Sequence, residues 1–267
     1  IFGLNVLISP PGSAVLEAVV EWLKAPQGLT EFLKGLLGQE TDEINQSLHA
    51  IYNFRSYKNR KILNFNSNQE KDVIVVASGP SLDERIDELK SIANQITIIS
   101  AGSAIGALLR NNIKVQYAVL LEMSSDVFRD MCQLIAEGFD LSEITLIASI
   151  TIDPRIASLF GGFITFQRPV STAAVFFENE EDSTLPYAGP QAVNAAFEVA
   201  WAMNPRSITL VGCDLSSPDN AQLRSSYAVG LSPRDFDIPM FGTNNKTVFT
   251  DSGLLMTKEA LEASINL

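Results

Sequence analysis

Short runs of apolar residues alternate with longer helical segments along the chain from residue 72 onward. This alternation is typical of parallel strands joined by crossover helices. Most of the runs are continuously apolar, which is the pattern of strands that are covered on both faces. The pattern therefore predicts an α/β protein with a doubly wound, mostly parallel sheet. The predicted strands are Val73–Ala77, Ile96–Ser100, Tyr117–Leu121, Ile144–Ile150, Phe163–Phe166 and Ser207–Gly212.

The chain before this region follows a helical pattern instead. The polar stretch Asn64–Lys71 lacks periodicity and predicts a connector between the two parts. We therefore expect a small helical N-terminal part over residues 1–68 and a sheet domain over residues 69–267. The apolar spacing predicts helices in the first part over residues 13–25, 29–37 and 40–53.

Residues 217–247 contain few periodic apolar positions and several Pro and Gly residues. We expect a long loop there, which could serve as a mobile lid. Asp235 and Asp237 in this loop match the DxD pattern with which many glycosyltransferases hold a metal and a sugar diphosphate. No hydrophobic strand precedes them, so we do not place a metal site there.

The charge balance limits the classes of partner. The chain of 267 residues has 19 Lys and Arg against 31 Asp and Glu, a formal net charge of −12 at pH 7. Nucleic-acid binding needs clustered positive charge, so no nucleic-acid partner is expected, although one nucleotide in a local pocket is compatible. No run of 18 apolar residues is present, so no membrane-spanning helix is expected.

The cysteines bear on the cellular compartment. Cys132 and Cys213 are far apart and form no CxxC pair, which favours a reducing cytoplasm. No charged-then-apolar leader opens the chain, in agreement with a cytoplasmic location. Because the first residue is Ile1 rather than Met, we expect this sequence to be a fragment, from which flanking domains could be missing.

Polar and mostly small residues follow the predicted strands. In open parallel sheets the ligand crevice lies at the carboxyl ends of the strands, so these residues are expected to line one binding crevice. After the first strand come Ser78, Gly79, Pro80 and Ser81; after the second come Gly102 and Ser103; after the third comes Glu122; and after the last comes Asp214.

Two helix starts could contribute backbone N–H groups to this crevice. Gly79 would let the backbone approach a ligand, and the helix that follows could bind an anion. Alternatively, Ser81 and Glu84 match a capping box, which needs no ligand. The second start, Gly189-Pro190-Gln191, is either an ordinary helix start or a second anion-binding end, with Asn194 one turn in and within reach of a ligand.

Asp214 and Glu122 are the candidate catalytic carboxylates. Each could bind a metal or a ribose hydroxyl, act on an attacking group, or only cap the following loop. If both face one crevice, the pair could hold Mg²⁺ or work as acid and base. His49 is the single histidine and precedes the sheet domain, so no histidine base is available within that domain. Cys213 lacks a neighbouring base that would activate it.

The segments Val73–Leu89 and Gly189–Ser216 resemble the motility-associated factor family. These cytoplasmic bacterial proteins glycosylate flagellin with nonulosonic acids, which are related to sialic acid. The same domain is grouped with the MptE-like pterin diphosphokinases, and it is similar to bacterial sialyltransferases that use CMP-sialic acid. The resemblance implies a Rossmann-like nucleotide-binding domain.

The resemblance also implies roles for individual residues. Ser78 to Ser81 would lie along the nucleotide and its phosphate, and Gly102 and Ser103 would border the sugar or ribose. Gly189, Pro190 and Gln191 fall near a nucleotide-binding turn. Two departures are that the sialyltransferases have Asn at the place of Ser78, and that they use a histidine base, which this domain lacks.

Three functions follow as expectations. The first is transfer of a nonulosonic sugar from a CMP-activated donor to Ser or Thr of a flagellin-type protein, with Asp214 or Glu122 taking the acceptor proton. The second is an MptE-like diphosphokinase that moves pyrophosphate from ATP to 6-hydroxymethyl-dihydropterin, with Mg²⁺ held by Glu122 and Asp214. The third is a non-catalytic nucleotide-binding or docking module.

Overall fold

The computed structural model describes residues 40–57, 61–63, 71–169, 173, 183–218, 223–230, 236–242 and 246–266. The predicted helices over residues 13–25 and 29–37 lie outside these ranges. The described strands are β1 (Lys61–Ile62), β2 (Asp72–Val76), β3 (Thr97–Ala101), β4 (Tyr117–Leu120), β5 (Thr145–Ser149), β6 (Gly162–Phe166), β7 (Ser207–Val211), β8 (Ile238–Phe241) and β9 (Thr247–Thr250). The described helices are α1 (Glu40–Ser56), α2 (Leu82–Ile92), α3 (Ala104–Arg110), α4 (Ser125–Ala136), α5 (Pro154–Ala157), α6 (Ala192–Ala202) and α7 (Ser252–Ile265).

Strands β1 to β7 form one sheet in the order β1-β6-β5-β4-β3-β2-β7, and every pair in it is parallel. All six predicted strands are present, and no strand end differs from its prediction by more than one residue. The α/β prediction with a doubly wound parallel sheet is therefore confirmed.

Strands β2 to β5 are buried on both faces, which explains their continuous apolar runs, whereas the edge strand β7 is partly exposed. Ile74 and Val76 of β2 belong to the core that includes the buried side chains of α2 to α5. Val73 and Val75 belong to the opposite core, which includes those of α6. Alternate residues of one strand thus serve two helix layers, so nearly every position must be apolar.

The strand order places a switch point beside β2. The chain steps from β2 through β6 in one direction, with α2 to α5 in one core. It then returns through α6, in the other core, to β7, which pairs with the free side of β2. The crossovers therefore diverge at the carboxyl ends of β2 and β7, where ligand crevices form in open α/β sheets.

The chain divides into two compact units, Ile1–Asn45 and Gln46–Leu267. The boundary predicted near residue 68 thus lies later than this division. Within the second unit, the Asn53 amide on α1 donates to the backbone carbonyls of Ile150 and Ile152, each at 2.8 Å. The Tyr57 ring packs edge-on against Phe163 with ring centroids 5.4 Å apart. These contacts explain why the end of α1, which the sequence assigned to the N-terminal part, belongs with the sheet.

The region predicted as one long loop contains regular structure. Strand β8 lies within it and pairs with β9 in an antiparallel ribbon that is separate from the main sheet. The predicted helix over residues 40–53 is confirmed as α1. None of the helices among the described residues is long and apolar enough to cross a membrane.

Candidate functional site

A crevice of about 320 Å³ lies at the carboxyl ends of β2, β3, β4 and β7. This volume is in the range of small-molecule sites, and the position is the switch point of the sheet. Ser81, Gly189, Pro190 and Asn194 are not among its described lining residues. Eight of the predicted site residues line it, namely Ser78, Gly79, Pro80, Gly102, Ser103, Glu122, Gln191 and Asp214.

Asp214 joins the end of β7 to the turn after β2. One of its carboxylate oxygens accepts the backbone N–H of Ser81 at 2.7 Å, and the other accepts the Ser81 hydroxyl at 2.5 Å. The Gly79 N–H donates to the Gly212 carbonyl at 2.7 Å. A Cβ on Gly79 would lie 2.6 Å from that carbonyl oxygen, so only glycine allows this close approach.

The predicted capping box at Ser81 and Glu84 is wrong. Ser81 has helical backbone angles, its side chain accepts no cap hydrogen bond, and its hydroxyl donates to Asp214. The first N–H groups of α2 are also used within the protein. The Leu82 N–H donates to the Gly79 carbonyl, and the Asp83 N–H donates to the Pro80 carbonyl. In this structure the start of α2 therefore does not offer these N–H groups to an anion.

A chain of hydrogen-bond donors crosses the crevice instead. The Arg224 guanidinium donates to the Ser103 hydroxyl at 3.1 Å, and that hydroxyl donates to the Ser78 hydroxyl at 2.9 Å. Each donor polarises the next, so the Ser78 hydroxyl is a strengthened donor that can point at a ligand. Arg224 was missed by sequence reasoning, because one arginine in a polar loop follows no periodic pattern.

Arg224 belongs to a segment that packs across the crevice, residues 223–230, here called the strap. The Ser225 N–H donates to the Ser78 carbonyl at 2.8 Å, and the Val229 N–H donates to the Ser103 carbonyl at 3.2 Å. The strap lies in the region that was predicted as a long loop and a candidate mobile lid. These described residues are held to both turns of the crevice by their own backbone.

Among the described residues, the side chains of Asp83 and Arg110 hold the strap from outside the crevice. The Asp83 carboxylate accepts the Ser225 hydroxyl, and it accepts the Ser226 N–H at 2.9 Å. On the other side, Arg110 of α3 donates to the carbonyls of Tyr227 and Ala228 at 2.8 and 3.1 Å. The acid that follows the Gly-Pro-Ser-Leu turn thus positions the segment that carries Arg224.

Among the described residues, four carboxylates line the crevice, and their surroundings differ. Glu122 is exposed at the end of β4, and Asp126 is exposed at the start of α4, where it pairs with Arg129. Burial, followed by repulsion from Asp126, raises the pKa of Asp130 above its usual range, while Arg129 and Arg224 partly oppose this. The fourth is Asp214, whose two carboxylate oxygens accept hydrogen bonds from Ser81.

Asn194, expected within reach of a ligand, has a structural use. Its side-chain oxygen accepts the Gln191 N–H at 3.1 Å, and its amide donates to the Thr257 carbonyl at 3.0 Å. It is buried, and it ties the start of α6 to α7. Gln191 itself lines the crevice, together with Ala192 in the first turn of α6.

The remaining candidates are placed as follows. Burial, with a smaller effect of Asp214, raises the pKa of the Cys213 thiol to about 11, so this thiol is not activated. His49 on α1 has a ring nitrogen 3.3 Å from the Thr151 carbonyl. Asp235 lies outside the described residues, and Asp237 is exposed.

Comparisons with known proteins agree with this architecture. The family model described as 6-hydroxymethylpterin diphosphokinase MptE-like matches residues 45–220. A search of the curated proteins gives no match. Among solved structures, the Maf glycosyltransferase from Magnetospirillum magneticum AMB-1 is similar over 96% of this chain, with 26% identity and a TM-score of 0.72. The similar part is 38% of the length of that protein.

Proposed function

Because this chain belongs to the MptE-like family, as the match over residues 45–220 shows, we propose that it carries out nucleotide-dependent group transfer in the crevice. The reaction is transfer of a nonulosonic sugar from a CMP-activated donor to a Ser or Thr hydroxyl of a flagellin-type protein. The observation that carries this choice is the likeness to the Maf glycosyltransferase across 96% of the chain. The cytoplasmic location stays a prediction.

The donor phosphate fits the chain of hydrogen bonds from Arg224 through Ser103 to Ser78. These groups line the crevice between the turns after β2 and β3 and the strap. A guanidinium and two aligned hydroxyls stabilise negative charge that develops on a leaving phosphate, because they are already oriented. The first turn of α6, at Gln191 and Ala192, adds the positive end of a helix dipole on the opposite face.

The transfer is a direct displacement at the anomeric carbon of the sugar. The acceptor hydroxyl oxygen forms the new bond, and CMP leaves with the electron pair of the broken carbon–oxygen bond. Arg224 balances the charge that the phosphate gains. Asp214, expected from the sequence as a base, instead holds the turn after β2 through Ser81. Its proposed role is therefore to position Ser78 and Gly79.

The second candidate is the diphosphokinase after which the family model is named. Glu122 and Asp214 both line the crevice, so they could approach Mg²⁺ together with the phosphates of ATP. Both Asp214 oxygens already accept hydrogen bonds from Ser81. In the part of the chain that the structure describes, no group of three or more His, Cys, Asp or Glu side chains could hold a metal. These residues fit a preformed Mg²⁺ site poorly.

A thermal melt with CMP, CTP, ADP and ATP, each with and without Mg²⁺, tests the two candidates. A ligand at 100 times its dissociation constant stabilises the folded protein by about 2.7 kcal/mol, which is an easily measured shift. We expect CMP and CTP to stabilise the chain without metal. Stabilisation only by ATP with Mg²⁺ would favour the diphosphokinase instead. No shift with any of the four would favour a non-catalytic docking module.

A further inference from the structure

The four crevice carboxylates that the structure describes differ in what they can still bind. Asp214 accepts two hydrogen bonds from Ser81, and Asp126 is exposed and paired with Arg129. Glu122 is exposed to solvent at the end of β4. Asp130 is half-buried, and no hydrogen bond or ion pair involves its carboxylate among the described residues. It is the crevice acid with free acceptor capacity and restricted solvent access.

The Asp130 carboxylate rests against the strap at Gly230. A Cβ on Gly230 would lie 2.9 Å from the Asp130 carboxyl carbon, and Gly230 has a φ of +68°, a conformation that favours glycine. The Gly230 carbonyl accepts a hydrogen bond from Arg224 at 3.1 Å. Asp130, Gly230 and Arg224 therefore form one continuous wall of the crevice.

This wall contains both a proton acceptor, Asp130, and the cation of the proposed phosphate site, Arg224. In the displacement described above, the attacking hydroxyl and the leaving phosphate act on the same anomeric carbon. A base for the hydroxyl must then lie close to the phosphate without being neutralised by its cation. Asp130 meets this requirement because its carboxylate and the Arg224 guanidinium both lie against Gly230, while the pKa of Asp130 stays above its usual range in spite of Arg224.

We propose that Asp130 is the general base of the transfer reaction, an assignment that rests on the proposed function. The acceptor hydroxyl gives its proton to a carboxylate oxygen of Asp130 while its oxygen bonds to the anomeric carbon. The bond from that carbon to the phosphate breaks, and CMP leaves with the electron pair. Asp130 then releases the proton to solvent, so the net products are the glycoside, CMP and one proton.

The charged groups around Asp130 support this role. Burial is the largest cause that raises the Asp130 pKa, and Asp126, one turn away on α4, is the second. Arg129 of α4 and Arg224 of the strap partly oppose this increase. The result is a carboxylate that is more basic than an ordinary aspartate. Activity should therefore fall on the acidic side as pH decreases through a raised Asp130 pKa.

The test compares Asp130→Asn with the wild type and with Asp87→Asn, a matched control on the exposed face of α2. CMP release from CMP-sialic acid is followed from pH 4 to 8 with unglycosylated flagellin as acceptor, beside CMP binding by calorimetry. We expect Asp130→Asn to lower kcat by about 100-fold or more, to leave CMP affinity within about threefold, and to lose the low-pH limb. Sodium formate should partly restore transfer to Asp130→Ala, because a small carboxylate can replace the deleted base.

The possible results distinguish a wrong assignment of the base from a wrong proposed function. If Asp130→Asn keeps its kcat or its low-pH limb, the assignment of the base is wrong while the proposed function stands. If it loses CMP binding and thermal stability along with activity, Asp130 is structural and the assignment is again wrong. If the wild type binds no CMP, the proposed function itself fails. If it binds CMP without transferring a sugar, the glycosyltransferase proposal and its base fall together.

Discussion

Asp214 and Ser81 are 133 positions apart in sequence, yet the Asp214 carboxylate accepts both the backbone N–H and the hydroxyl of Ser81. The contact connects the two strands on either side of the switch point. It also changes the interpretation of both residues. Ser81 does not cap its own helix, and the carboxylate that the sequence presents as a base stabilises the turn beside the crevice.

Replacing Asp214 should lower the free energy of unfolding as well as the activity. Asp214→Asn removes the charge from two hydrogen bonds and leaves one acceptor oxygen, so we expect a loss of about 1.5–3 kcal/mol in the free energy of unfolding. Ser81→Ala should cost about 1 kcal/mol, and the double variant should cost less than the sum of the two. Urea unfolding measures all three, with Asp87→Asn within about 0.5 kcal/mol of the wild type as a control. Full additivity would contradict the contact.

Gly79→Ala should destabilise the chain through a steric clash. The new Cβ would lie 2.6 Å from the Gly212 carbonyl oxygen and 2.8 Å from the Asp214 carboxyl carbon. We expect a cost of about 2–3 kcal/mol, because both neighbours are held by their own hydrogen bonds. Gly138→Ala is the comparison, since its φ is +97° but no atom lies within 4 Å of its Cβ. Its cost should be the backbone strain alone, about 1 kcal/mol. A smaller loss at Gly79 than at Gly138 would be evidence against a tight turn.

Arg224→Ala should weaken CMP binding. Hydrogen bonds to charged groups contribute about 1.5–3 kcal/mol, so the dissociation constant should rise about 10- to 100-fold in calorimetry. Arg85→Ala, on an exposed turn of α2 where Arg85 pairs with Glu88, removes the same charge elsewhere and should change affinity less than twofold. Equal effects of the two substitutions would mean that Arg224 acts only through net charge.

The ion pair between Arg110 and Glu137, which lies behind the strap, should make the free energy of unfolding depend on pH in the acidic range. Hydrogen bonding from Arg110, and then from Gln133, lowers the Glu137 pKa from 4.5 to about 2. The stabilisation from this pair is therefore fully present above pH 4.5 and is lost as pH falls toward 2. Glu137→Gln should lower the urea midpoint at pH 6, and the difference from the wild type should shrink steadily below pH 4.5. A difference that is constant with pH would exclude this ionic contribution.

The sheet was predictable because its signal is local. Most of the strands from β2 to β7 are continuous apolar runs, as burial on both faces requires, and the ends of each were located to within one residue. Much of the crevice lining followed from the same prediction, because parallel strands end at a common edge. Ser78, Ser103, Glu122 and Asp214 all line the crevice for this reason.

The residues that sequence reasoning missed have no local signal. Asp130 is one polar position on a helix, and Arg224 is one cation in a polar loop. Their placement depends on how α4 and the strap pack over the strand ends. The capping box failed for a related reason, since Ser81 has helical backbone angles and its hydroxyl donates to a carboxylate that is distant in sequence.

By itself, the sequence determined the α/β class, the positions of the main strands and the edge of the sheet where a ligand can bind. Burial of alternate side chains on two faces leaves a periodic record in the chain, and glycine at a close turn leaves another. The tertiary structure alone decided which polar groups at that edge meet one another. Asp214 accepts a hydrogen bond from the Ser81 hydroxyl. Arg224 donates to Ser103, which in turn donates to Ser78. Asp130 lines the crevice and keeps free acceptor capacity. Such pairings depend on distances between segments remote in sequence, and hydrogen bonds are short and directional, so no local pattern encodes them.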